Sequence, residues 1–249
     1  MLRTTVVAAA LFAAGSAQAA FTTVDFSSQF NHGFLSGFVG GNTFPTGPQT
    51  YLGVPFSIAP STAVTGAPSN NIWHAVAAGG GNPRTLSISG LNIANAVSAY
   101  TLMGTWWGND GGPNQTTYAS IAFTFSDLSQ TVFHLLGGRD IRDYNFNPLF
   151  TTTLGPNAVE VFNNSGPIGT PAGQHYDRQT FAFGANAGKT LTGITLSDTG
   201  ADGFQRVFLS AATIETRDAT TVIPLPAAAW LLLSGLGLLV RLGRHRTAA

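Results

Sequence analysis

Thr117-Tyr118-Ala119-Ser120-Ile121-Ala122-Phe123-Thr124-Phe125 decides the fold class. Ala119, Ile121, Phe123 and Phe125 alternate with Tyr118, Ser120, Ala122 and Thr124. A period of two puts the first set on one side of an extended chain and the second on the other. The aromatic and β-branched side chains suit a pleated surface, so the stretch reads as a strand whose core face is Ala119, Ile121, Phe123 and Phe125. Working outward, β-rich runs recur at Phe21–Phe26, Leu52–Ile58, Ile72–Ala77, Arg84–Ser89, Val97–Trp106, Thr131–Leu136, Ala158–Phe162, Gln179–Phe183, Leu191–Leu196 and Arg206–Glu215. In the last of these, Val207, Leu209 and Ala211 alternate with Arg206, Phe208 and Ser210. Turn chemistry separates the runs: Gly79-Gly80-Gly81-Asn82-Pro83, Gly108-Asn109-Asp110-Gly111-Gly112-Pro113 and Asn163-Asn164-Ser165-Gly166-Pro167. About eleven short strands in one domain predict an all-β fold, an antiparallel β-sandwich of jelly-roll type. No repeat of solenoid or propeller length is present.

Composition narrows the chemistry. The chain has 249 residues, no cysteine, 30 glycines, 13 prolines and 18 phenylalanines. Without cysteine there is no disulfide framework, catalytic thiol, zinc–thiolate site or iron–sulfur cluster. Of the 11 basic residues, Arg3, Arg241, Arg244 and Arg246 lie near the ends, leaving seven in the body against all 11 acidic residues, a net charge of −4. A charge-poor, mildly acidic body argues against nucleic acid as a partner.

Both ends read as addresses. Arg3, the apolar Val6–Ala14 and the small-x-small Ala17-Gln18-Ala19 form a signal peptide with cleavage between Ala19 and Ala20. At the other end, Val222-Ile223-Pro224-Leu225-Pro226-Ala227 precedes an uncharged run to Val240, then Arg241, Arg244 and Arg246. As a helix, Ala227–Val240 spans roughly 21 Å at ~1.5 Å per residue, short of a ~30 Å hydrocarbon core. Leu225, Leu242 and snorkelling arginines lengthen it, and the arginines act as a membrane stop held on the cytoplasmic side. The organisation expected is a signal peptide at 1–19, a β-sandwich ectodomain at 20–216, a polar linker at 217–221 and a hydrophobic C-terminal helix within 222–249.

Val222, Pro224, Leu225, Pro226 and Ala227, followed by the apolar run and the arginine-rich end, resemble the VPLPA-type variant of PEP-CTERM sorting signals. Ile223 is an insertion relative to that pattern. The resemblance implies an exported protein of a Gram-negative bacterium, with an exosortase-like transpeptidase as partner and the helix in the inner membrane before processing. A second resemblance rests on Ile72-Trp73, Trp106-Trp107-Gly108, Gly137 to Asn145, Tyr176-Asp177-Arg178-Gln179, Asp198-x-Gly200 and Gln205-Arg206-x-Phe208-Leu209. These are similar to exported galactose-binding-like sandwiches, and they imply a fold more than an activity.

Within the body, Arg139, Asp140, Arg142 and Asp143 form the densest charged cluster. If the segment is extended, Arg139, Ile141 and Asp143 share one side and Asp140 and Arg142 the other, so each side carries an Arg–Asp pair. Such arginine forks and carboxylates suit either a ligand rim or a structural ion-pair network joined by Arg178 and Arg206. Trp106 and Trp107 face opposite ways in a strand. An exposed Trp107 beside Asn109 and Asp110 would stack on a sugar ring. Asp198 and Asp202 offer the one metal chemistry in view, a calcium held by two carboxylates and loop carbonyls; no other cofactor is implied. His32, His74, His134 and His175 have no metal-ligand spacing, and no G-x-S-x-G elbow exists. Only Glu160 and Glu215 are glutamates, both in strand patterns. The expected function is non-enzymatic: a cell-surface or extracellular-matrix protein that contacts polysaccharide. A calcium-dependent adhesive or structural role is the alternative, and a hydrolase ranks below both.

Overall fold

The computed structural model describes residues 19–33, 44–60, 70–75, 84–106, 116–145, 154–164, 174–199 and 205–217. Its strands are β1 (Ala19–Thr23), β2 (Gly47–Tyr51), β3 (Val54–Ile58), β4 (Trp73–His74), β5 (Thr85–Trp106), β6 (Thr117–Phe125), β7 (Gln130–Leu136), β8 (Ala158–Asn163), β9 (His175–Ala182), β10 (Lys189–Asp198) and β11 (Arg206–Arg217). Every strand pairing is antiparallel. Two isolated parallel bridges, Thr105 with Asp143 and Gly137 with Ile141, are the exceptions among the described residues. The described residues are all-β, as the sequence predicts; their helical turns are Ser27–Gln29 and Gly184–Asn186, both 3₁₀.

β5 organises the fold. Its first half pairs with β10, and β6 and β7 continue outward in the order β5-β10-β6-β7. Its second half pairs with β11 on one side and β9 on the other; β8 lies beyond β9, and β1 and β4 lie along β11. The sequence suggests two strands here, Arg84–Ser89 and Val97–Trp106, because Gly90, Asn92 and Asn95 look like turn residues. They are bulges instead. Gly90 (φ 75°) and Asn95 (φ 55°) take left-handed backbone, and the register against β10 shifts beside them, between Lys189 and Leu191 and between Leu191 and Gly193. Extra residues on one strand bend it without ending it.

Two buried clusters flank the second half of β5. The first contains Ile121, Phe123 and Phe125 of β6, Leu191 and Ile194 of β10, and Val207, Leu209 and Ile214 of β11. The face expected on β6, Ala119-Ile121-Phe123-Phe125, is wholly within it. The second contains Leu102, Trp106, Tyr176, Phe208 and Ala211, with Val54, Phe56 and Ile58 of the β2–β3 hairpin. β11 is therefore buried on both sides. The alternation read there needs one correction: the register shifts between Leu209 and Ala211, so Ala211 joins Phe208 while Ala212 and Ile214 join Val207 and Leu209. A bulge at Ser210 reverses the side on which each later residue falls.

β2 had no counterpart in the sequence reading, because Gly47 and Pro48 mark a turn more than a strand. It is stabilised by a two-residue hairpin in which Leu52 (φ 51°) and Gly53 (φ 80°) are both left-handed, the geometry that matches strand twist. Thr213 Oγ1 of β11 donates to the Pro55 carbonyl at 2.6 Å and ties the hairpin to the central strands.

Contacts divide the chain into Met1–Arg217 and Asp218–Ala249. The second unit, where the sorting motif Val222–Ala227 and the stop Arg241, Arg244 and Arg246 are expected, lies outside the described residues, as does the segment 1–18. Among the described residues no helix is long and apolar enough to cross a membrane.

Candidate functional site

The Arg139–Asn145 cluster is built on a turn, not on an extended segment. Gly138 takes φ 73°, and the Asp140 N–H returns to the Leu136 carbonyl at 2.9 Å. Asp140 Oδ2 caps the turn by accepting the Leu136 N–H at 3.0 Å and the Arg139 Nε at 3.0 Å. Arg139 thus pairs with its own neighbour, while its side chain stays 44% exposed. Ile141 is buried in the first cluster. The next residues slot between the ends of β5 and β9: the Thr105 N–H donates to Arg142 O, the Tyr144 N–H to Thr105 O, and the His175 N–H to Tyr144 O.

This insertion carries Arg142 inward. Its Nε and Nη2 donate to Asp177 Oδ2 and Oδ1 at 2.6 and 2.7 Å, a two-pronged contact, and Nη2 also donates to Glu160 Oε2 at 2.7 Å. Asn163 Nδ2 donates to Glu160 Oε1, and His175 Nε2 lies 3.7 Å from Asp177 Oδ2. Burial disfavours the Arg142 charge, but the Asp177 and Glu160 carboxylates outweigh it and raise its pKa. The side-pairing expected from an extended chain, Arg139 with Asp143 and Arg142 with Asp140, does not occur, because the turn rotates Asp140 back toward Leu136. Arg178 and Arg206 do not join the network either. Arg178 lies over the Tyr100 ring, and Arg206 Nη1 donates to Gln205 O. Asp140, Arg142 and Asp143 are all buried, Asp143 accepting the Asn145 N–H at 2.8 Å. Of the four charged residues, Arg139 is the one a ligand can reach.

Trp106 is buried; its ring lies tilted against His74 at 4.2 Å and meets His32 edge-on at 4.8 Å between ring centroids. Trp107, Asn109, Asp110 and Asp202 lie outside the described residues. Asp198 is buried, and its Oδ2 accepts the Val207 N–H at 2.8 Å. Among the described residues no group of three or more His, Asp or Glu is placed to hold a metal ion.

A second polar constellation was not legible beforehand. Glu215 of β11 stands directly across from Ser98 of β5. Its Oε2 accepts the Ser98 hydroxyl at 2.5 Å and the Tyr100 hydroxyl at 2.8 Å. The Arg178 guanidinium lies 5.2 Å from the Tyr100 ring centroid, and Phe21 meets the same ring edge-on at 6.2 Å. Arg178 Nη1 reaches the Tyr51 carbonyl at 3.3 Å, at the hairpin turn.

No family model matches the chain. No curated protein and no solved structure is detectably similar to it.

The titrating groups set a pH window for stability. Burial lowers the His32 pKa from 6.5, so the unfolded chain takes up that proton first and stability falls as pH drops below about 6.5. Burial pushes the Tyr51 phenol up to about 12, and Tyr100, Tyr144 and Tyr176 shift the same way. The unfolded chain loses those protons first, so stability falls from about pH 10 upward. Urea midpoints measured across pH are expected to show a plateau between these limits.

Proposed function

We propose that this is an exported surface or matrix protein whose C-terminal segment is a sorting signal of the VPLPA type, read by an exosortase-like transpeptidase. The observation that supports this reading is the pairing of Ala20–Thr23, directly after the expected cleavage, with Thr213–Thr216 of β11. Cleavage after Ala19 leaves Ala20–Thr23 on the sheet. The two groups of strands that share β5 are read as the faces of a galactose-binding-like, jelly-roll sandwich; the mixed first cluster, drawn from β6, β10 and β11, supports that arrangement.

The role proposed for the exposed domain is contact with extracellular polysaccharide, without catalysis. Arg139, accessible on its turn, and the loop bearing Trp107, Asn109 and Asp110 are the proposed contacts. The full-length chain in detergent is expected to be retained on immobilised polysaccharide. Trp107→Ala is expected to abolish retention at an unchanged melting temperature. A variant that melts early instead would make Trp107 a packing residue, and the loop would not be the contact.

A further inference from the structure

The Glu215–Tyr100–Arg178 constellation has the character of a binding site. Glu215 and Arg178 carry opposite charges on the same side of the sheet, each half-buried and each in contact with Tyr100. Two such groups ordinarily neutralise each other. Here they form no ion pair with one another. Glu215 Oε2 is held by two hydroxyls, which fixes the carboxylate, while Oε1 makes no hydrogen bond among the described residues and is not among the buried polar atoms. Arg178 is spread over the phenol and anchored by long contacts to the Tyr51 and Leu52 carbonyls at 3.3 and 3.5 Å, while its Nε is buried with no hydrogen-bond partner. The space around Tyr100 therefore offers an acceptor, the Nη2 edge of the Arg178 guanidinium, whose Nε is buried and whose Nη1 contacts the hairpin carbonyls, and the apolar edges of Phe21 and Tyr100. The frame is rigid: β5, β9 and β11 are adjacent strands, and the hairpin turn with exposed Leu52 lies against Arg178.

We propose that this face binds a neutral saccharide, with neighbouring ring hydroxyls donating to Glu215 Oε1 and accepting from Arg178. The local charges cancel, which disfavours an acidic or a basic ligand. A pair of adjacent hydroxyls supplies the donor and the acceptor together, and a sugar ring brings C–H groups that pack on aromatic edges. The proposal rests on the polysaccharide reading above, but it assigns a contact separate from Trp107 and Arg139.

The test is a titration of the full-length chain in detergent with a panel of neutral trisaccharides, beside the wild-type matrix retention described above. Binding of at least one trisaccharide is expected, weakened about tenfold or more in Glu215→Gln and Arg178→Lys. Equal binding by wild type, Glu215→Gln and Arg178→Lys overturns the site. Loss in Trp107→Ala alone also overturns it and leaves the loop reading standing. Binding of glucuronate oligomers in place of neutral ones overturns the ligand class. If wild type binds neither trisaccharide nor matrix, both readings fall. Should the variants melt early, saturation transfer from bound trisaccharide to the Phe21 and Tyr100 ring protons of wild type decides: transfer supports the site, and its absence overturns it.

Discussion

Replacing Arg142 by alanine is expected to lower the unfolding free energy by about 3–5 kcal/mol, the usual cost of breaking a buried ion pair from one side. The physical cause is the pair of carboxylates left behind. Asp177 is 1% exposed at its side chain and Glu160 10%, and Arg142 is the cation that both contact. Without it, two negative charges face each other in a medium that solvates them poorly. The loss should depend on pH: protonating the carboxylates removes the repulsion, so the variant recovers toward wild type in acid. Chemical denaturation of both proteins at neutral and acidic pH measures this. A loss under 1 kcal/mol at neutral pH would mean that water reaches the network.

Phe123→Ala is expected to cost a similar amount, about 3–5 kcal/mol, for a different reason. Phe123 is fully buried and touches Phe183, Phe181 and Phe133 with ring centroids at 5.0, 5.6 and 6.1 Å. Phe123 belongs to β6, whereas Phe181 belongs to β9 and Phe183 follows it. The ring therefore joins the two groups of strands that meet at β5, and its removal leaves a cavity where they pack. Unlike the loss in the Arg142 variant, this loss relative to wild type should be the same at neutral and acidic pH, because no charge is stranded. A small loss would indicate that the two groups do not share a core at this ring.

The strands that were legible had one face buried and one in water. β6 is the clear case: Ser120, Ala122 and Thr124 are partly exposed while Ile121, Phe123 and Phe125 are buried, so the period of two survives in the letters. β11 was legible as a strand but not in its sides, because the β2–β3 hairpin covers the second face and the bulge at Ser210 reverses the pattern midway. β5 was split because glycine and asparagine serve bulges as readily as turns. The Arg139–Asp143 cluster was visible as charge, yet its pairing depended on partners distant in sequence, Glu160 and Asp177, and on a turn at Gly138 that inverts the sides of an extended chain. The Glu215 constellation is wholly non-local: Phe21, Tyr100, Arg178 and Glu215 meet only through the pairing of β1, β5, β9 and β11.

The most direct test of the sorting reading is the intact mass of the cell-associated protein purified from a Gram-negative bacterium that expresses it with an exosortase. The expected mass corresponds to a chain that starts at Ala20 and lacks Arg241, Arg244 and Arg246. A mature protein that begins at Met1 and still carries Arg246 would contradict it.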